Sequence, residues 1–232
     1  NVKKHEGKNK ELEQASYIAS HDVQEPLRTI TSFYDILYSE YNDKLDDQAK
    51  QIFTFIKQAT GRMSSLIKNL LDYSRIGQKE KFIDVDTNLI LGTISIDLNS
   101  LIKNSNTIIK YKKLPIIEAS PTEFRLLFQN LISNAIKFSK KGIDPIIEIK
   151  AKTMEHGWEF SVKDNGIGIP QEFQEKIFAI FQRLHLREEY EGTGIGLAHC
   201  RKIVHLHGGE IWVKSKPNEG STFYFTISNE KI

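Results

Sequence analysis

The chain has 232 residues, 39% of them hydrophobic and 27% charged, and its 32 basic and 30 acidic side chains leave a net charge of +2. That balance excludes a disordered tail, a bilayer-spanning protein and the concentrated basic stripe of a nucleic-acid binder, so no nucleic-acid partner and no membrane contact are expected of it. The lone cysteine, Cys200, rules out an internal disulfide and a cysteine-rich metal site and suits a reducing compartment, hence an expected cytoplasmic location.

The opening "NVKKHEGKNKE" lacks the apolar core of a signal peptide, and Asn1 in place of an initiator methionine hints at a segment of something longer. From about residue 9 to 41, Ala15, Ala19, Val23, Leu27, Ile30, Tyr34, Leu37 and Tyr41 recur every three or four positions, which predicts one long amphipathic helix. Pro26 lies inside it, five residues after His21. Proline lacks the N–H and crowds the carbonyl four residues back, at a cost of ~3 kcal/mol, so a kink is expected there. "YNDKLDD" then breaks the helix, with Asp46 or Asp47 placed to cap a second one. In that helix Ile52, Ile56, Ala59, Met63, Leu66, Leu70 and Tyr73 form a heptad seam, widened by Phe55, Ile67 and Leu71. Two helices cannot hide so wide a face, and pairing with a second copy into a four-helix bundle is the expected solution. Packing of the hairpin on the rest of its own chain is the alternative.

After the polar linker "SRIGQKEKF" the pattern changes. "TIIKYKK", "IIEIKAKT", "WEFSVKD", "EIWVKSK" and "STFYFTIS" read as strands, and "SPTEFRLLFQNLISNAIKFSKK" and "GIGLAHCRKIVHLHG" as helices. The expected result is an α+β domain with a mostly antiparallel sheet and helices on one face. Domains are placed at 1–77 and 82–232.

Three stretches of the second domain carry chemistry. In "NLISNAIKF", Asn130, Asn134 and Lys137 stand at i, i+4 and i+7 and share a helix face; an amide oxygen suits Mg²⁺ and the ammonium suits phosphate. Taken alone they read equally well as a solvated polar face. In "VKDNGIGIP", Gly166 and Gly168 permit close backbone approach, and Asp164 at a strand end can accept a hydrogen bond from an exocyclic amine such as that of adenine. In "EGTGIGLAHCRKIV", Gly192, Gly194 and Gly196 lead into a helix, an arrangement whose backbone N–H groups hold phosphate. Neither glycine run has dinucleotide-fold spacing and there is no P-loop, so this would be a different nucleotide site.

"SHDVQEPLR", "NLISNAIKF", "DNGIGIP", "IFAIFQRL" and "GTGIGLA", in that order and at these separations, resemble the H, N, G1, F and G2 boxes of sensor histidine kinases, and the "HDxQEPLR" form is similar to that of phytochrome-type kinases. The resemblance covers the chain from about residue 10 to its end. It implies a helical-hairpin dimerisation and phosphoacceptor domain followed by a Bergerat-type ATP-binding α/β sandwich. It further implies His21 as phosphoacceptor, Asn134 as Mg²⁺ ligand with Asn130 beside it, and Lys137 on the nucleotide phosphates. Phe138 would lie by the adenine, Asp164 would bind its amino group, and Gly166 and Gly168 would shape that pocket. Gly192, Thr193, Gly194 and Gly196 would anchor the phosphate side of a lid running roughly from Arg183 to Glu191, with Arg183 as a phosphate-side cation. ATP and Mg²⁺ are the implied cofactors, and the implied partners are a second copy, a response-regulator receiver domain and an upstream sensor domain.

Asp22, next to His21, is placed to accept or orient the second ring N–H of the imidazole. The remaining histidines, His5, His156, His185, His199, His205 and His207, read as isolated exposed side chains, and Cys200 as core. Two positions depart from the family pattern. Glu25 stands where a kinase that also dephosphorylates its regulator commonly has Thr or Asn, and Asn218 replaces the first glycine of the last glycine box, "NEGSTF". Rival readings are another Bergerat-type ATPase, which would lack the histidine-bearing hairpin, and a dimeric scaffold that binds nucleotide without turnover.

Overall fold

The computed structural model describes residues 2–78, 81–182, 184 and 192–229, with side chains of the first helix described from Asp22 onward. The chain divides into two compact units at Arg75–Ile76.

The first unit is a helical hairpin. Helix α1 (Val2–Tyr41) runs uninterrupted through Pro26. A short 3-10 turn (Asn42–Lys44) follows. Asp46 then caps α2 (Asp47–Arg75), its Oδ1 accepting the amide of Ala49 at 2.7 Å, which satisfies one of the orphan N–H groups of the first turn. Of the apolar stripe on α1, Leu27 and Tyr34 are buried, and Tyr34 meets Phe53 of α2 with ring centroids 5.6 Å apart. Val23, Ile30 and Leu37 of the same stripe stay exposed, as do Ile52, Ile56 and Met63 of the α2 seam and Phe55, which is 65% exposed.

The second unit holds a five-stranded sheet in the order β2 (Ile108–Tyr111), β4 (Ile146–Met154), β5 (Gly157–Asp164), β7 (Gly220–Ser228), β6 (Ile211–Lys216). Only the β2–β4 pair is parallel. Helices α3 (Thr87–Asp97), α5 (Pro121–Lys137) and α6 (Gly196–Leu206) supply the other half of the core. Strand alternation fills it from the sheet side: Phe160 and Val162 of β5 and Phe223, Phe225 and Ile227 of β7 are buried at every second position. Phe160 stacks on Phe225 at 5.1 Å, and Phe124 and Phe128 of α5 meet that pair edge-on. The expected strands, the two expected helices and the mostly antiparallel sheet are all present.

The sequence reading left 82–106 without elements. This stretch forms β1 (Ile83–Asp86), α3 and α4 (Asn99–Asn104), and β1 pairs antiparallel with β3 (Ile116–Ala119) in a separate small sheet. Both strands are only four residues long. Helix α3 begins where Asp86 Oδ1 accepts the amide of Asn88 at 2.8 Å. Ile76, read as part of a polar linker, is buried in the second core, and the Gly77 amide donates to Glu123 Oε1 at 2.6 Å.

Candidate functional site

Helix α5 starts at Ser120 with Pro121 at its first position, and buries Phe124, Leu127, Phe128, Leu131 and Ile132 along one side. Burying that side turns Asn130, Asn134 and Lys137 together toward a partly open face. The Nδ2 of Asn130 is shut off from solvent and has no hydrogen-bond partner among the described residues. Its Oδ1 lies 3.2 Å from where a Cβ on Gly196, the first residue of α6, would stand. Lys137 Nζ sits 4.4 Å from the ring centroid of Phe138 and 2.6 Å from the position of a Cβ on Gly192. A side chain at Gly192 would displace that ammonium.

Phe138 caps α5, and its carbonyl accepts the amide of Ile167 at 3.0 Å. That bond draws the turn after β5 against the helix end. At the start of the turn Asp164 is buried, its Oδ1 accepting from the amides of Gly166 at 2.8 Å and Ser221 at 3.1 Å. Burial pushes the Asp164 carboxyl above its ordinary value, partly offset by the two amide hydrogen bonds and by the positive charge of Lys140. Asp164 Oδ2 takes no hydrogen bond within the described residues and is left for another donor. A Cβ on Gly166 would come within 2.5 Å of the Phe138 carbonyl oxygen, and one on Gly168, where φ is +73°, within 2.0 Å of the Lys216 carbonyl oxygen. Both glycines are required by backbone approach.

The β6–β7 turn closes the far side. Asn218 adopts φ +63°, the left-handed conformation that glycine supplies and that asparagine tolerates better than most residues, and its amide donates to Ile167 O at 2.7 Å. The replacement of the first glycine in "NEGSTF" is thereby accommodated. Gly192 (φ +149°) and Gly194 (φ +73°) precede α6, and the Gly194 carbonyl accepts the amide of Phe181 at 3.0 Å. Phe181 itself holds φ +65°, a strained conformation for an aromatic residue. Thr193 lies between the two glycines.

Gly192, Lys137, Phe138, Gly166 and Asp164 are thus joined by a run of close approaches and Asn130 approaches Gly196, with Gly168 on the same turn as Gly166 and Asn134 on the same helix face as Asn130 and Lys137. Arg183 and most of the expected lid, residues 185–191, lie outside the described residues. His21 falls in α1 of the other unit, with Asp22 exposed after it, and the His21 side chain lies outside the described ones. Sequence reasoning missed Ser221, whose backbone amide binds Asp164. A backbone donor leaves no trace in residue type.

Two histidines correct the reading of the set as exposed. His199 and His207 are each only 3% exposed. His207 Nδ1 lies 2.8 Å from Ile203 O and its Nε2 accepts the Ser120 amide at 3.1 Å, so the ring is neutral with the proton on Nδ1 and ties the end of α6 to the start of α5. Burial lowers its pKa, against smaller upward effects of the Ile203 carbonyl and the Glu123 charge. Cys200 is fully buried, and burial pushes its thiol far up.

No described helix is long and apolar enough to cross a membrane. No cluster of three or more His, Cys, Asp or Glu among the described residues could hold a metal. An amide oxygen such as that of Asn134 could supply one ligand to a Mg²⁺ ion whose other ligands are phosphate oxygens and water, a mode common for Mg²⁺.

Residues 11–79 match the family model of the His Kinase A phospho-acceptor domain, and residues 119–231 that of the histidine kinase-, DNA gyrase B- and HSP90-like ATPases. Among curated proteins, cyanobacterial phytochrome A of Nostoc sp. is 44% identical over 223 residues, covering 96% of this chain and 29% of the phytochrome. The chain spans less than a third of the phytochromes it matches. Among solved structures, the catalytic domain of the histidine kinase ThkA is 30% identical with a TM-score of 0.54, over 64% of this chain and 96% of that one. ThkA in complex with the response regulator protein TrrA matches 99% of this chain and 66% of that one, with a TM-score of 0.65 and 24% identity. With a phospho-acceptor hairpin, an ATPase-type α/β domain and these relatives, the chain belongs to the sensor histidine kinases and carries their catalytic core.

Proposed function

We propose that the segment 1–77 dimerises and carries the phosphoacceptor His21, and that 82–232 binds ATP and delivers its γ-phosphoryl group to that histidine. The observation that carries this reading is the run of contacts from Gly192 through Lys137, Phe138 and Gly166 to Asp164, together with a buried Asn130 Nδ2 on the same face of α5 and an Asp164 Oδ2, neither of which has a partner among the described residues. Asp164 Oδ2 accepts the adenine amino group. Phe138 packs by the base, and Gly166 and Gly168 let the backbone approach it. Lys137, the amides from Gly192 through Thr193 and Gly194 to Gly196, and Arg183 hold the phosphates. Asn134 holds Mg²⁺, which when bound neutralises phosphate charge.

A neutral imidazole, with an ordinary pKa of ~6.5, has a free lone pair at physiological pH. The His21 ring nitrogen forms a bond to the γ-phosphorus as the bond to the bridging oxygen breaks, and ADP departs with that electron pair. Asp22 takes or orients the proton on the other ring nitrogen. The transition state is loose, so the residues contribute mainly alignment and charge neutralisation. The phosphohistidine then passes its phosphoryl group to an aspartate of a response-regulator receiver domain, a reading supported by the ThkA complex with TrrA. Glu25 is not suited to orient a hydrolytic water as Thr or Asn would, so phosphatase activity is expected to be weak. The parent protein places a sensor domain upstream and this core in the cytoplasm, in keeping with the greater length of the phytochrome relatives.

Incubation with γ-³²P-ATP and Mg²⁺ tests the reading. Wild-type protein should acquire acid-labile, alkali-stable label and His21→Gln none. Equal labelling of both proteins would sink the assignment, and no label with nucleotide binding intact would favour the scaffold.

A further inference from the structure

One hydroxyl of the second unit sits where two turns of the proposed nucleotide pocket meet. Strand alternation places Ser215 of β6 on the same side as the buried Val213, and it stands opposite Ser221 of β7 in register. Its Oγ lies 2.8 Å from the Gly220 carbonyl oxygen, 2.8 Å from the Ile169 amide nitrogen and 2.9 Å from Ser221 Oγ. A hydroxyl has one proton and two lone pairs. A carbonyl can only accept and an amide can only donate, so the Ser215 proton goes to Gly220 O, and the Ile169 amide and the Ser221 hydroxyl fill the two lone pairs. The group is used to capacity.

Its partners belong to different parts of the pocket. Ile169 follows Gly168 on the turn after β5, whereas Gly220 and Ser221 open β7. Gln174 stitches the same two segments, its Nε2 donating to Ile169 O at 3.1 Å and to Ser215 O at 2.8 Å. What this network fixes is the Ser221 amide. The ladder between β5 and β7 ends with the pair Lys163 and Thr222. One position further on, the Ser221 amide donates instead to the Asp164 side chain, and Gly220 packs so closely that a Cβ on it would stand 2.2 Å from the Asp164 carbonyl oxygen. The other donor to Asp164 Oδ1, the Gly166 amide, belongs to the same turn as Asp164 and orients it only locally. The Ser221 amide comes from 57 residues away, and its place depends on the end of the β6–β7 hairpin, which Ser215 ties to the turn after β5.

We propose that Ser215 is a positioning residue for selection of the base: through the Ser221 amide it holds the Asp164 carboxylate at the angle at which Oδ2 meets the adenine amino group. The inference rests on the reading that Asp164 receives that amino group. Ser215 acts through Ser221 and not by contact with the base. Without its hydroxyl, the Ile169 amide, the Ser221 hydroxyl and the Gly220 carbonyl lose this partner, and the carboxylate is freer to turn about its Cβ–Cγ bond. That weakens a directional hydrogen bond to the base more than it weakens the attraction of an ammonium group and several amides for phosphate.

Calorimetric titration of the full chain with ADP and with inosine diphosphate tests it, since the inosine nucleotide carries a carbonyl where ADP carries the amino group. Wild-type protein should prefer ADP by about tenfold or more. Ser215→Ala should bind ADP about tenfold more weakly while its affinity for inosine diphosphate changes by less than about twofold, and Ser215→Thr, which keeps the hydroxyl, should return the wild-type preference. Gln174→Met leaves every hydroxyl in place and should lower the preference by a smaller factor, which supplies the comparison if Ser215→Ala fails to fold. A wild type without preference would overturn the role of Asp164 in binding the amino group, and this inference with it. A wild-type preference that persists in Ser215→Ala, whether or not both affinities fall together, would overturn the role of Ser215 alone and leave the reading of Asp164 intact.

Discussion

At the residue scale the chemistry of the second unit turns on Asp164. Its carboxylate is held in place by two backbone amides yet raised in pKa by burial, a combination that keeps one oxygen available to a ligand at a cost in stability. A carboxyl whose folded pKa is raised contributes stability that is present below its unfolded value, near 4, and lost as pH rises through the folded value. Ionisation of the group is therefore a net burden on the fold. Asp164→Asn can keep both amide bonds through its Oδ1 while removing the charge. The expected outcome is a thermal midpoint at pH 7 equal to or above that of the wild type, with ATP affinity reduced by about a hundredfold, the scale of losing a charge-assisted hydrogen bond. A parallel loss of midpoint and affinity would assign Asp164 a structural role instead.

At the element scale the long helix α1 is the unusual part. It continues through Pro26 although that residue cannot donate to the carbonyl of Asp22, the neighbour of the proposed phosphoacceptor. The missing bond is a local weakness one turn after His21, and Glu25 and Leu27 carbonyls nearby also accept from the hydroxyls of Thr29 and Thr31. Pro26→Ala restores the bond and should stabilise the hairpin by up to about 3 kcal/mol. If the weakness is a hinge used between autophosphorylation and transfer, the ratio of the two rates should change by several-fold. Rates that both remain as in the wild type, in a protein with a higher thermal midpoint, would leave Pro26 no part in switching.

On the scale of the whole molecule, the hairpin exposes more apolar surface than one copy can cover. Val23, Ile30, Phe33, Ile36 and Leu37 on α1 and Ile52, Phe55 and Met63 on α2 are all exposed in the single chain. Each such side chain is worth roughly 1.5–3 kcal/mol when fully buried. A four-helix bundle built from two hairpins buries them, whereas an isolated hairpin leaves a patch well above what a monomer tolerates. Phe55→Glu would place a charge in that seam. Light scattering should then report the mass of one chain where the wild type reports two, with the ATP affinity of the second unit retained. A wild type that is monomeric at micromolar concentration would remove the bundle.

What the sequence by itself determined was whatever is written in local pattern or in residue type at fixed spacing. The helical period of the hairpin, the alternating strands of the sheet, the capping aspartate before α2 and the five boxes of the kinase core were all legible there. Helix α3 was not, because "TNLILGTISID" is apolar around most of its circumference and shows no clear period, and strands of four residues such as β1 and β3 are too short to alternate convincingly. Only the tertiary structure decided which histidines are buried: His207 sits at a helix end like many exposed ones, and its burial comes from the Ser120 amide and the ring of Phe82, distant in sequence. The Ser221 amide on Asp164 and the pairing of Val162 with Phe223 across β5 and β7 are of the same kind. They arise from strand register, a long-range pairing of backbones that side-chain identity does not spell out.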